Sequence, residues 1–132
     1  MREFTIVREV TLPPEEAWAR LTDWERHGEK VPLTTIRTTT DGFVARTGLG
    51  RLGFDDPMRI VELDPPHRCA LVKTGRVVLG HAELSVEPTP AGSRVVWRES
   101  IAIRGVPRFA DPLLVASGRR LFGGVIDHLL AT

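Results

Sequence analysis

Apolar and polar side chains alternate through most of this chain. Over residues 3 to 12, Phe4, Ile6, Val10 and Leu12 fall on one side and Glu3, Thr5, Glu9 and Thr11 on the other, the pattern of a half-buried strand. Arg8 interrupts the apolar side. Pro13 and Pro14 end that strand and suit the first turn of a helix, with Glu15 and Glu16 at the positive end of its dipole. Ala17, Trp18 and Leu21 share one face of this helix, which is predicted to stop near Asp23. A further helical turn is predicted over Trp24 to Lys30, broken by Gly28 and Pro32.

From residue 33 the period becomes two. Asp41-Gly42 reads as a two-residue hairpin turn in which glycine accepts positive φ. Pairing Thr40 with Phe43 places Ile36, Thr38, Thr40, Phe43, Ala45 and Thr47 on the inner face. Beyond the glycine-rich stretch 48 to 53, strands are predicted near 57 to 63, 68 to 73, 76 to 87 and 93 to 104, making seven in all. Asp111-Pro112 then opens a C-terminal helix as cap and first helical residue. On it Leu114, Gly118, Leu121, Phe122, Val125, Ile126 and Leu129 form one broad stripe. Glycines 118, 123 and 124 weaken the helix, so its stability must come from packing on the sheet. Gly118 has two readings, close helix-to-sheet contact or room for a ligand.

Composition narrows the function classes. The 132 residues carry 18 Lys and Arg against 17 Asp and Glu, a net charge of +1, which gives sequence-independent phosphate binding little to work with and argues against nucleic acid. Residues 1–132 contain no linker or repeat and are expected to form a single domain. Cys69 is the only cysteine, which excludes an intrachain disulfide and is compatible with a reducing cytosol. Charges run through the N-terminus and no apolar run reaches membrane-spanning length, so a cytoplasmic protein without stable membrane insertion is expected.

An opening strand, a short helical pair, six further antiparallel strands and a long closing helix resemble the START-like, or birch-pollen-allergen, superfamily (SRPBCC). Within it the chain is most similar to the polyketide cyclase/dehydrase branch, through PPEEAWARLTDWERHGEKVP, RIVELDPPHRCALVKTG and SRVVWRESIAI. The resemblance implies an α+β helix-grip fold, a seven-stranded curved antiparallel sheet wrapped around the C-terminal helix. It also implies a cavity between the two for a lipid-, polyketide- or sterol-like molecule. These motifs specify scaffold rather than chemistry. The chain has no tyrosine, so it lacks the phenolic hydroxyl that cyclase-like pockets often use.

Candidate site residues come from breaks in the alternation. Arg8 and Glu99 each occupy an inner, mostly apolar face. Antiparallel pairing of Phe4 with Ile103, Ile6 with Ile101 and Val10 with Trp97 would set Arg8 opposite Glu99. Two buried charges require each other or cavity water. They read either as a structural ion pair or as a polar anchor, with Arg8 holding a ligand carbonyl and Glu99 able to act as base. Trp97, Phe43, Phe109 and Phe122 are candidate pocket walls, with Gly118 as the space between them and Thr38 as a neutral hydroxyl. The other aromatics fill the core.

Other motifs carry less. Gly48-Leu49-Gly50-Arg51-Leu52-Gly53 has dinucleotide-binding spacing, but FDDPMRIVEL after it reads as strand rather than helix, so a flexible loop near the cavity mouth is expected. Histidines 27, 67, 81 and 128 lack metal-ligand spacing and are expected on surfaces or turns, with no metal and no cofactor. Asp55 and Asp56, followed by Pro57, read as a solvated turn. Cys69 reads as a small core residue. The sequence therefore supports binding of a small hydrophobic molecule by a monomer or homodimer. A cyclase/dehydrase-type enzyme is the alternative, and a protein-interaction factor with a filled core is a further one.

Overall fold

The computed structural model describes residues 2–131, except for the side chain of Arg2. The strands are β1 (Arg2–Val10), β2 (Thr34–Thr38), β3 (Gly42–Leu49), β4 (Leu52–Asp64), β5 (Arg68–Lys73), β6 (Val78–Thr89) and β7 (Gly92–Ile103). They form one antiparallel sheet in the order β1-β7-β6-β5-β4-β3-β2. Helix α1 (Pro14–Leu21) and a 3-10 turn at Trp24–Gly28 follow β1, and the 20-residue α2 (Asp111–Leu130) closes the chain. This is the helix-grip arrangement expected above.

The hydrophobic core lies between the sheet and the helices. Phe4 and Ile6 of β1, Trp97 of β7, Ala17, Trp18 and Leu21 of α1, and Val125, Ile126 and Leu129 of α2 are all buried. Gly118 brings α2 close to β1: a Cβ there would lie 3.1 Å from Cε1 of Phe4, so the phenyl ring occupies the space a larger residue would take. The predicted helical stripe is buried only in its C-terminal half. Leu121 is exposed and Leu114 half-buried.

Four local expectations are corrected. The β2–β3 register is Thr38 with Phe43, two residues from the expected pair, so the faces are kept while Thr40 moves into the loop. Gly42 is required for close approach rather than for positive φ, since a Cβ would run into the Met58 carbonyl of β4. The glycine-rich stretch is a tight β3–β4 hairpin: Gly48 pairs with Gly53 and Leu49 with Leu52, and Gly50 takes φ 54° at the tip. Asp111 is the first residue of α2, and Ala110 holds the cap position.

Candidate functional site

Between the sheet and α2 lies a cavity of about 190 Å³. Its walls come from inward positions of β3, β4 and β7, from Val31 and His27 below, and from Gly118, Leu121 and Phe122 of α2. Five rings organise one side. Trp97 stacks on Phe122 at 5.0 Å and Trp24 on Phe43 at 4.8 Å, while His27 sits 5.9 Å from Trp97 and 6.2 Å from Phe122. Offset stacks of this kind hold aromatic walls rigid.

The polar end is built from three strands. Asp56 of β4, Lys73 of β5 and Glu99 of β7 all line the cavity. Lys73 Nζ lies 3.0 Å from Asp56 Oδ2, with the side chains only 4% and 13% exposed, and it reaches Met58 Sδ at 3.8 Å. Asp56 Oδ1 is buried with no hydrogen-bond partner. Glu99 is 3% exposed, and the Trp97 indole N–H donates to its Oε1 at 3.1 Å. Burial pushes the Glu99 carboxyl above its ordinary range, against the opposing pull of Lys73 and the Trp97 N–H, and nearby Asp56 pushes it further the same way. Burial also raises Asp56, opposed by Lys73. Burial raises the Cys69 thiol to about 11, which keeps it in the unreactive protonated form.

Of the sequence candidates, Phe43, Trp97, Glu99, Gly118 and Phe122 meet at this cavity; Arg8, Thr38 and Phe109 do not. Arg8 pairs across the sheet with Val95, and Glu99 with Phe4, four residues from the expected register. Arg8 thus lies beyond the cavity, where its Nε donates to Asp127 Oδ1 of α2 at 2.7 Å. Matching apolar to apolar misleads here because Glu99 is satisfied along its own strand by Trp97. Thr38 lies in an open groove with Asp41 and Leu63. Phe109 is 87% exposed, on the turn that leads into α2.

Asp56 and Lys73 are missed by the sequence reading, although the signal exists. Phe54, Asp56 and Met58 share the inner face of β4 as Leu71 and Lys73 share that of β5, and each charge breaks an apolar run as Glu99 does. Asp55 and Asp56 are in strand rather than in a solvated turn. Pro57 is tolerated because its backbone faces Thr74, whose N–H donates to the Pro57 carbonyl at 2.9 Å, just past the end of β5.

His27 corrects the expectation of a surface histidine: it is buried, and its Nε2–H donates to the Leu21 carbonyl at 2.7 Å. Burial lowers its pKa below 6.5, opposed by that hydrogen bond and by Asp23. The folded state therefore favours neutral His27. Its contribution to stability is complete above pH 6.5 and is lost as pH falls toward the lowered folded value. The unfolding free energy measured in urea should drop on acidification below pH 6.5, with a slope bounded by about 1.4 kcal/mol per pH unit. His27→Gln should flatten that slope; an unchanged slope refutes the assignment.

Among the described residues, no three His, Cys, Asp or Glu side chains converge as a metal-ligand set, and no helix is long and apolar enough to cross a membrane. A model of the family described as "Polyketide cyclase / dehydrase and lipid transport" matches residues 1–131. No curated protein matches the sequence. Solved structures share the fold at low identity. The Zhui aromatase/cyclase from Streptomyces sp. R1128 is 16% identical with TM-score 0.72, covering 97% of this chain and 93% of that one. XoxI from Bacillus cereus is 14% identical with TM-score 0.72, covering 98% and 94%. Ara h 8.0201 is 10% identical with TM-score 0.68, covering 99% of each.

Proposed function

Because the chain belongs to the polyketide cyclase/dehydrase and lipid-transport family, we propose that it binds a compact hydrophobic molecule of one or two rings carrying a single oxygen function. The supporting observation is a cavity of about 190 Å³ with aromatic walls that ends on Asp56, Lys73 and Glu99. Drug-sized ligands occupy about 300–1,000 Å³, so the volume favours a small ring system over a sterol or a long acyl chain. Lys73 spends one N–H on Asp56 and a second on a thioether. It retains donor capacity for a ligand carbonyl or hydroxyl, and Glu99, when protonated, adds an O–H.

Naphthol and naphthalene test this reading by tryptophan quenching. Both should bind saturably, with naphthol tighter by about tenfold, the worth of one charge-assisted hydrogen bond. Phe122→Trp, which narrows the cavity, should weaken both. Absence of saturable binding by either compound, together with absence of retained lipophiles in native mass spectrometry, defeats the proposal.

A second reading, catalysis of the cyclase/dehydrase type, is favoured by one observation: a buried carboxyl whose surroundings favour its protonated form, suited to donate a proton inside an apolar site. Under it, Glu99→Gln abolishes turnover while ligand binding persists.

A further inference from the structure

The exposed apolar side chains are unevenly distributed. Among the described residues, ten large hydrophobics are exposed, and six of them, Leu33, Leu49, Leu52, Val106, Phe109 and Leu113, gather at one end of the molecule. Strand pairing fixes that placement. Leu49 and Leu52 flank the β3–β4 tip, and the Leu33 carbonyl accepts from the Gly48 N–H at 2.9 Å. Lys73 at the end of β5 pairs with Met58 midway along β4, so the β3–β4 tip projects past the end of β5, and Ile103 at the end of β7 pairs with Val78 at the start of β6. The segment from Arg104 to Ala110 and the start of α2 continue from that same end. Helix α2 then runs away from it, passing Phe4 at Gly118 and Arg8 at Asp127. The cavity lies just inside this end, between Val78 and Ile103 of the sheet and Gly118 and Leu121 of the helix.

The same loops are basic. Arg51 at the hairpin tip, Arg76 in the β5–β6 turn, and Arg104 and Arg108 before α2 are all exposed. Arg104 Nε donates to the Arg76 backbone carbonyl at 2.6 Å, which ties the Arg104 guanidinium to the turn that carries Arg76. The acidic groups facing them are Asp55, whose carboxylate is engaged by Arg46 at 3.3 Å, and Asp111 at the first position of α2. A chain of net charge +1 therefore carries a local positive excess where its apolar residues project.

We propose that this end docks reversibly on an anionic lipid bilayer, with Leu52 and Phe109 entering the acyl boundary and the four arginines resting among the headgroups. The apolar residues project from separate tips, a hairpin, a loop and a helix start. Such a surface suits a soft, deformable phase better than a folded protein face, which needs a contiguous complementary patch. Leu52, 86% exposed, and Phe109 serve no packing role, and arginines near a negatively charged surface add attraction that salt screens. Docking in this orientation turns the cavity mouth toward the lipid, from which an apolar ligand would enter without crossing water.

The test is flotation of the full chain with vesicles of phosphatidylcholine alone and with phosphatidylglycerol added. Wild type should float with the anionic vesicles, weakly or not at all with the neutral ones, and less as salt rises. Leu52→Glu and Phe109→Glu should each lower the partition by about tenfold, and Arg51→Glu with Arg108→Glu should remove the dependence on anionic lipid. Naphthol binding by every variant reports an intact fold and cavity. Failure of wild type to float with anionic vesicles overturns the proposal, as does flotation unchanged in the Leu52 and Phe109 variants. Naphthol binding without flotation defeats docking alone; flotation without naphthol binding defeats the ligand reading alone.

Discussion

Lys73→Met should destabilise the protein by about 3–5 kcal/mol at neutral pH, read as the loss of unfolding free energy in urea. Methionine approximates the length of lysine, so little volume is lost and the effect isolates the charge. In the wild type the ammonium lies 3.0 Å from Asp56 Oδ2 with both side chains nearly excluded from water. Without it Asp56 is a buried carboxylate, and its Oδ1 is already without a partner. Burial raises the Asp56 pKa even against Lys73, so removing the cation raises it further. A carboxyl with a raised folded pKa contributes full stability below its unfolded value and loses it as pH climbs through the folded one. The cost of Lys73→Met should therefore be small near pH 3.8, the ordinary Asp56 value, and grow toward neutrality. Asp56→Asn combined with Lys73→Met should restore most of the loss, giving a coupling energy well above that of a surface pair. A pH-independent penalty, or a double variant no better than the single, would show that the pair is not the determinant. The same substitution removes the ligand-facing donor, so naphthol should lose its advantage over naphthalene.

Which residues face inward was readable from period two, because register errors of two or four residues leave the faces unchanged. Period two alone puts Phe43, Trp97 and Glu99 on the inner side, and there they line the cavity. Position along the strand was not readable in the same way. A shift of four residues carries Arg8 from Glu99 to Asp127 without any change in the apolar pattern. Asp56 was lost to a local rule: an Asp-Asp-Pro run resembles a turn, and only the early end of β5 makes it acceptable in a strand. His27 was lost for a tertiary reason, since a 3-10 turn has no periodicity long enough to reveal that α2 and β7 cover it. Phe109 illustrates the converse. An aromatic residue beside a helix start reads as a pocket wall, yet here it projects outward with Leu113.

Trp97→Ala tests whether packing or polarity governs the cavity. Trp97 is 1% exposed, stacks on Phe122, and is the only hydrogen-bond partner of the Glu99 carboxyl among the described residues. Truncation should cost about 3–5 kcal/mol from lost contacts and incomplete collapse, read as a drop in urea midpoint. Trp97→Phe keeps most of the ring volume but removes the N–H, so it should cost about 1–3 kcal/mol, the range for a buried group deprived of its partner. The two variants should also separate in what they bind. The alanine variant joins the vacated indole volume to the existing space and should accept a three-ring phenol that wild type excludes. The phenylalanine variant should keep the wild-type size limit, because one ring still stands against Phe122. If Trp97→Ala leaves the size limit unchanged, the neighbouring rings have collapsed into the gap and Trp97 does not set the cavity's dimension. If Trp97→Phe is as destabilised as the alanine variant, the hydrogen bond to Glu99, rather than the bulk of the indole, dominates the residue's role.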